Sequence, residues 1–198
     1  ARIEVVPIEG APPVVLAELG QAERTLLLYN HYDVQPPEPL ELWDSPPYAG
    51  DVREGRFYAR GVADNRGDLL SRVLAIRAYQ ETVGELPIRI RWLLEGEEEV
   101  GSPHIAPVVE ARAAQLQADW CAWEASGRDV AGNPSIICRM KGMLYVEFVA
   151  SGPNRDAHSG LGGILPNPAW RLVTALNTLR DEQGNFVMDG LADLVDAP

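Results

Sequence analysis

Cysteine is scarce in this sequence, and its two cysteines, Cys121 and Cys138, form neither a disulfide framework nor a metal-binding motif. We therefore expect reduced thiols in a reducing compartment, which favours a cytoplasmic location. No stretch approaches the roughly 18 to 20 apolar residues that span a bilayer, and no secretory signal leads the chain. The chain also begins without a methionine, which is typical of part of a longer polypeptide.

Positive charge is scarce as well. The sequence has 17 Lys and Arg against 29 Asp and Glu, a formal net charge of -12, and no run of Lys or Arg offsets the acid. This balance argues against nucleic acid or an anionic membrane as a partner and favours cationic ligands. The acid is densest in "LLEGEEEVGS", where adjacent glutamates repel unless water or a cation absorbs the field. That stretch is therefore either a solvated loop or a cation site.

The order of elements predicts an α/β fold with a mainly parallel sheet flanked by helices. Short β-branched runs predict strands, and apolar residues at helical spacing predict helices. The predicted strands are "RIEVV", "PPVVLAEL", "RTLLLYN", "LPIRIRWLLE" and "ADWCAWEA", and the predicted helices are "GDLLSRVLAIRAYQETV" and "HIAPVVEARAAQLQ".

The pattern changes after "GNPS", which predicts a domain boundary between 1–135 and 136–198. "IICRMKGMLYVEFVAS" alternates like a long strand or hairpin that is exposed on one face. "NPAWRLVTALNTLRDEQGN" predicts an amphipathic helix with Asn167 as its N-cap and Pro168 in its first turn.

Polar side chains follow the ends of the predicted strands, where ligands bind in parallel α/β sheets. They are His31, Asp33, Asp64, Glu98, Glu99 and Glu124. His31 and Asp33 are two residues apart and would face one side of an extended chain, so that one could bind a metal while the other orients it. An imidazole among several carboxylates predicts a site for a divalent metal.

Each of these residues has a simpler interpretation when it is taken alone. A single histidine such as His31 is more often a hydrogen-bonded structural residue, and Asp64 fits a helix N-cap or Asx turn. His104 is interpreted as a surface residue at a helix N-terminus and is not assigned to the site. The joint placement at successive strand ends favours the metal site.

The acidic residues around the site have the same ambiguity. Glu95 and Glu97 fit a solvated loop. Glu124 fits an edge residue that pairs with an arginine such as Arg128 or Arg139.

The motifs together resemble a known family. "NHYDVQPPEPLELWDSPPY", "GRFYARGVADNRGD", "LLEGEEEVGS" and "DAHSGLGGILPNPAW" resemble the dinuclear zinc hydrolases that include aminoacylase, acetylornithine deacetylase, succinyl-diaminopimelate desuccinylase and the carnosinase-type dipeptidases. The resemblance spans most of the chain, and "HYDVQP" and "EGEEEVGS" look closest to the dipeptidase branch. It implies that 1–135 is a partial catalytic metal-binding domain and 136–198 a partial lid or dimerisation domain.

The resemblance also implies the metal ligands, residue by residue. His31 and Glu124 resemble ligands of one zinc, Glu99 resembles a ligand of the other, and Asp64 resembles the carboxylate that bridges both. Asp33 resembles the partner that orients His31. The implied cofactor is zinc, two ions per complete subunit, with manganese or cobalt as alternatives.

For catalysis, the resemblance implies that Glu98 is the general base for water that attacks an amide carbonyl. His158, in "AHSG", resembles a lid histidine that reaches the substrate from a partner subunit, which implies a homodimer. The implied substrates are short peptides, above all dipeptides, with N-acyl amino acids as the alternative.

Two further function classes stay open. The family takes one more histidine ligand from near the end of the full-length chain, whereas the three histidines here are His31, His104 and His158. An inactive homologue that serves in assembly is therefore one alternative. A calcium-binding acidic module is another; it predicts oxygen ligands at about 2.3 to 2.6 Å, against about 2.0 to 2.2 Å for zinc with an imidazole.

Overall fold

A computed structural model describes residues 1–124, 127–138 and 142–191. The chain divides into two compact units, Ala1–Cys138 and Arg139–Pro198. The roles assigned above to 1–135 and 136–198 stay predictions. No helix within the described ranges is long and apolar enough to cross a membrane.

The first unit is built around a five-stranded sheet with the strand order β1-β2-β6-β3-β7. Its strands are β1 Arg2–Ile8, β2 Ala11–Leu19, β3 Thr25–His31, β6 Arg89–Glu95 and β7 Trp120–Ala122, and the hairpin β4 Asp51–Arg53 with β5 Arg56–Tyr58 stands apart from them. The helices are α1 Gly67–Thr82, α2 Ile105–Ala111 and α3 Ala113–Leu116, and a second small hairpin joins β8 Gly127–Arg128 to β9 Pro134–Ser135.

The sheet is mixed but mainly parallel in strand direction. β3 pairs in parallel with both β6 and β7, whereas β2 is antiparallel to β1 and to β6. Four of the five strands therefore point the same way, and the predicted α/β class is confirmed. In the β3–β6 register His31 lies opposite Glu95, so the ends of both strands reach the same edge of the sheet.

Helices cover both faces of the sheet. On one face Leu69, Val73 and Ile76 of α1 pack against the buried Leu28 and Trp92. These helical residues recur at the i, i+4, i+7 spacing that a buried helix face requires. On the other face, residues of α2 and α3 complete a second cluster around buried Val14, Leu16, Tyr29, Leu93 and Leu116.

Two predicted elements of the first unit differ clearly from the structure. The helix predicted over "HIAPVVEARAAQLQ" is interrupted at Arg112, which leaves helical geometry with φ -115° and ψ 14°. The side chain of Arg112 donates two hydrogen bonds to Glu4 Oε1 on β1, at 3.1 and 2.8 Å. The strand predicted over "ADWCAWEA" is only Trp120–Ala122, and Glu124 lies just beyond its end.

The second unit contains α4, Pro168–Asn177, which begins at the predicted capping residues but ends before the predicted stretch "NPAWRLVTALNTLRDEQGN" does. Asn167 Oδ1 accepts a hydrogen bond from the Ala169 N–H at 2.9 Å, and Pro168 occupies the first turn. The long strand or hairpin predicted over 136–151 is wrong for the residues described there, 136–138 and 142–151, which form no strand. Alternating apolar residues need a partner strand to satisfy their backbone groups, and this part of the structure pairs none with them.

Asp119, just before β7, forms hydrogen bonds to β3 whose contribution to stability depends on pH. Its Oδ2 accepts hydrogen bonds from Thr25 N at 2.6 Å and Thr25 Oγ1 at 2.9 Å, and these bonds lower the pKa of Asp119. A lowered carboxyl pKa stabilises the fold above the unfolded pKa of about 3.9, and this contribution is lost as pH falls through the folded pKa. The destabilisation by Asp119→Ala should therefore be larger at pH 7 than at acidic pH.

Urea unfolding of the wild type and of Asp119→Ala from pH 7 down to about pH 2 measures how the destabilisation changes with pH. Glu110→Ala, at an exposed position of α2, is the control. A destabilisation that stays the same across the whole range would show that the carboxylate charge of Asp119 contributes nothing.

Candidate metal centre

His31 is the centre of the candidate site. It is the last residue of β3, and its side chain is fully buried. Nδ1 lies 3.2 Å from Asp33 Oδ1, and Nε2 lies 2.8 Å from Asp64 Oδ1. Each ring nitrogen thus lies against carboxylate oxygen, and Asp33 on the Nδ1 side is placed as the orienting carboxylate of a metal-binding imidazole.

Asp64 reaches His31 from a π-turn, Val62–Arg66, that leads into α1. Gly61 opens the turn with φ +83°, where an added Cβ would lie 2.3 Å from Val34 Cγ1. Gly67 closes it, and a Cβ there would lie 2.1 Å from the Val62 carbonyl oxygen. The two glycines therefore allow a tight turn that directs Asp64 to the strand end, and its peptide bond to Asn65 is cis.

Glu98 and Glu99 lie in a 3-10 turn just after β6. The Asp33 carboxylate accepts hydrogen bonds from the N–H groups of both, at 3.3 and 3.0 Å. Asp33 therefore fixes this turn as well as the His31 ring. Gln35 holds the Glu99 carboxylate through its backbone N–H at 3.2 Å and its Nε2 at 2.9 Å.

Glu124 completes the cluster from the end of β7. Its Oε2 lies 3.1 Å from His31 Nε2, and Glu98 Oε2 lies 3.8 Å from the same nitrogen. Oε2 of Glu124 is buried, and within the described part of the chain it has no hydrogen-bond partner. The contact with His31 is close but lacks hydrogen-bond geometry, so the lone pairs of this oxygen are available to bind a cation.

Crowding of carboxylates perturbs the protonation of the site. Burial raises the pKa of Glu98 and of Glu124, and the neighbouring carboxylates raise both further while His31 opposes the change. Burial lowers the pKa of His31, but the bond to Asp64 and the charges of Glu124, Glu98 and Asp33 more than offset it, so that its pKa is raised. The raised pKa values mean that these groups hold a proton more tightly than isolated side chains do, so metal binding would compete with protons.

The donor set fits a divalent metal ion. Ligand atoms of His31, Asp64 and Glu99 all lie within 4.8 Å of one another, and Glu124 lies against the same imidazole nitrogen. One imidazole with several carboxylates suits zinc and similar ions, whereas oxygen ligands alone would suit calcium. An α/β sheet with this cluster at the ends of its parallel strands defines a candidate metal centre.

The structure also locates the two other histidines and the partner of Glu124. His104 is exposed at the start of α2 and pairs with Glu97 at 2.8 Å, so it lies outside the cluster as expected. His158 lies in the second unit, where its Nδ1 accepts a hydrogen bond from Gly160 N at 3.1 Å, and its predicted role stays a prediction. Glu124 pairs with His31 and forms no ion pair with Arg128, while Arg139 lies outside the described residues.

The interpretation of Glu95 as a solvated loop residue is wrong. Glu95 is the last residue of β6 and only 3% exposed. Its Oε1 accepts hydrogen bonds from Tyr29 Oη at 2.5 Å and Ser102 Oγ at 2.9 Å, so it ties β3 to the turn that carries Glu98. Glu95 lies on the same face of β6 as Arg89, Arg91 and Leu93, so the alternation of apolar residues gave no signal that it is buried.

Comparison with known proteins identifies the family. The profile of "Peptidase family M20/M25/M40" matches residues 27–159. The sequence is 31% identical over 190 residues to a Cys-Gly metallodipeptidase of Schizosaccharomyces pombe and 33% identical over 189 residues to the human Beta-Ala-His dipeptidase. Each match covers 93% of this chain but only 40% and 37% of the relative. The chain belongs to peptidase family M20/M25/M40, a family of metallopeptidases.

Solved structures agree with this assignment. The M20 family metallo-carboxypeptidase Sso-CP2 from Sulfolobus solfataricus matches with a TM-score of 0.91 and 37% identity, over 100% of this chain and 45% of that chain. Human carnosine dipeptidase 1 matches with a TM-score of 0.68 and 27% identity, over 100% of this chain and 44% of that one. The fold is thus that of the family, and the chain spans less than half the length of these relatives.

Asp33→Asn tests the orienting role of Asp33. An amide accepts hydrogen bonds less strongly than a carboxylate, so we expect metal affinity to fall by roughly 10- to 100-fold without abolition of binding. Zinc titration of the full-length protein by calorimetry measures the change, with exposed Asp44→Asn as the control. Normal zinc affinity and normal activity in Asp33→Asn would show that Asp33 is only a turn residue.

Proposed function

We propose that the full-length protein is a metal-dependent peptidase that hydrolyses the amide bond of dipeptides or other short peptides. The observation that carries the proposal is the convergence of three carboxylates on one buried imidazole nitrogen, His31 Nε2, where a Glu124 oxygen accepts no hydrogen bond from the described residues. The names of the related dipeptidases support the substrate class, since they act on Cys-Gly and β-Ala-His.

The metal is proposed to be zinc, two ions per complete subunit, with manganese or cobalt as alternatives. His31, Asp64, Glu99 and Glu124 would hold it. Bound there, the metal supplies a Lewis acid for the amide carbonyl and lowers the pKa of water.

Glu98 is proposed as the general base. Its carboxylate accepts a proton from the attacking water and returns it to the leaving amine as a C–O bond forms and the amide C–N bond breaks. The amine also takes the second water proton, so that the products are a carboxylate and an ammonium group. The Asp33 carboxylate contacts both the backbone N–H of Glu98 and the ring of His31. It therefore fixes the position of the proposed base relative to the proposed metal ligand.

Hydrolysis assays on the full-length protein test this function. The metal-free protein should be inactive, and zinc, manganese or cobalt should restore hydrolysis of Cys-Gly, β-Ala-His or another dipeptide. N-acetylated amino acids serve as the alternative substrates. Hydrolysis of these alone would indicate the deacylase, and a folded, metal-loaded protein without either activity would indicate the assembly role.

We also propose that His158 acts in the site of a partner subunit within a homodimer. Full-length His158→Ala and Glu98→Gln should each be nearly inactive, and mixed dimers should recover part of the activity because one site then has both groups. Assays after verified subunit exchange measure the recovery. The control mixes Glu98→Gln with His31→Ala, which leaves no complete site; equal activity in the two mixtures would contradict a shared site.

A further inference from the structure

A layer of buried polar groups lies directly beneath the candidate metal centre. Asn30 and Asn65 are 0% and 1% exposed, and Asn30 Nδ2 donates a hydrogen bond to Asn65 Oδ1. Asn30 immediately precedes His31, and Asn65 immediately follows Asp64. This one bond therefore joins the strand end and the turn that carry two of the predicted ligands.

Arg72 connects the same layer to the chain segment that carries Glu124, a third predicted ligand. From α1, its Nη1 donates to Tyr29 O at 2.7 Å and to Asn30 Oδ1 at 2.6 Å. Its Nη2 donates to Trp123 O at 2.6 Å, and Trp123 immediately precedes Glu124. A single guanidinium thus holds the ends of two different strands at a fixed separation.

The hydrogen bonds fix the orientation of the amide in the layer. Asn30 Oδ1 accepts from Arg72 and from Trp92 Nε1, at 2.6 and 3.1 Å, and both of these groups can only donate. Asn30 must therefore direct its NH₂ group to Asn65. Glycine at position 30 would remove both the acceptor for Arg72 and the donor for Asn65.

We propose that Arg72 is a positioning residue for the metal centre, because its planar fork sets the relative places of three chain segments that each carry a ligand of one metal position. Those ligands are His31, Asp64 and Glu124. A lysine offers a point charge on a flexible stem and lacks the rigid fork that serves several acceptors at once. The inference rests on the proposed metal-dependent function.

The test compares Arg72→Met with Arg77→Met in the full-length protein. Arg77 lies on the same helix, but its side chain is 67% exposed, and its partner among the described residues is Glu81. Co²⁺ titrated into the metal-free proteins gives affinity by calorimetry, and its visible absorption reports coordination geometry, to which Zn²⁺ is silent. Arg72→Met should weaken the tighter Co²⁺ site by roughly 10- to 100-fold and change the spectrum, whereas Arg77→Met should match the wild type.

A purely structural role gives a different result. If Arg72→Met lowers Tm but keeps the affinity and spectrum of the wild type, Arg72 only fastens α1 to the sheet and the proposal is wrong. If Arg72→Met does not fold, Arg72→Lys and Asn30→Gly replace it; both should weaken Co²⁺ binding and change the spectrum. Wild-type affinity and spectrum in both would overturn the proposal.

The outcome for the wild type separates this proposal from the proposed function. A folded wild-type protein that binds neither Co²⁺ nor Zn²⁺ overturns the metal-dependent function and the role of Arg72 together. Tight binding by the wild type with unchanged binding by Arg72→Met overturns only the positioning role.

Discussion

Glu98→Gln is expected to lower kcat for dipeptide hydrolysis by the full-length protein by at least about 100-fold while its metal content stays unchanged, since general-base catalysis typically contributes 10² to 10⁴. The geometry supports this expectation. Glu98 Oε2 is 3.8 Å from His31 Nε2, farther than the 3.1 Å of Glu124 and the 2.8 Å of Asp64. A glutamine at position 98 keeps the size of the side chain but cannot accept the proton.

Elemental analysis together with steady-state kinetics distinguishes the base from a ligand. Glu99→Gln is the matched comparison and should lose metal, because Glu99 belongs to the group of ligand atoms that lie within 4.8 Å of one another. Glu97→Gln is the control, since Glu97 pairs with exposed His104 outside the cluster. Loss of metal from Glu98→Gln with retention in Glu99→Gln would reverse the two assignments.

The sequence predicts the residues of the cluster because they follow strand ends, and strand ends can be recognised from apolar patterns. His31 closes β3, Glu98 and Glu99 follow β6, and Glu124 follows β7. Parallel pairing of these three strands brings their carboxyl ends to one edge. These residues come together because of the sheet topology, and local sequence patterns can indicate that topology.

The groups beneath the cluster could not be predicted in the same way. Arg72 lies on α1 at a position where an exposed arginine is ordinary, and its bonds reach residues 42, 43 and 51 positions away. Leu70 shows the same limit, since it is an apolar residue of the predicted helix "GDLLSRVLAIRAYQETV", yet it is 54% exposed. Which residues of a helix turn inward depends on its tertiary packing, which the spacing alone leaves open.

Alternation of apolar residues predicts a strand reliably only where the segment has a partner strand to pair with. Glu95 ends a central strand that pairs with β2 and with β3, and its side chain is buried against Tyr29 and Ser102. The similar alternation after Ser135 predicts a strand that the described residues there do not form. Pattern reasoning is therefore strongest for the central strands that position the site and weakest for segments whose partners lie elsewhere.

His31→Ala is expected to have the largest effect on metal binding. The imidazole is fully buried and is the only nitrogen ligand in the predicted set, and its Nε2 is the atom on which Asp64 and Glu124 converge. Without it, carboxylates alone remain, and their mutual repulsion raises the cost of holding them together. Zinc affinity should fall by more than the roughly 10- to 100-fold expected for the orienting residue Asp33.

Calorimetric titration with zinc and elemental analysis of the full-length protein measure this loss. His104→Ala is the matched control, because His104 is exposed and contacts Glu97 outside the cluster. Circular dichroism shows whether His31→Ala retains the fold, so that loss of metal is separated from unfolding. Tight zinc binding that survives His31→Ala in a folded protein would show that the ligand assignment at the end of β3 is wrong, since Asp64 and Glu124 would then bind the ion without the nitrogen on which both converge.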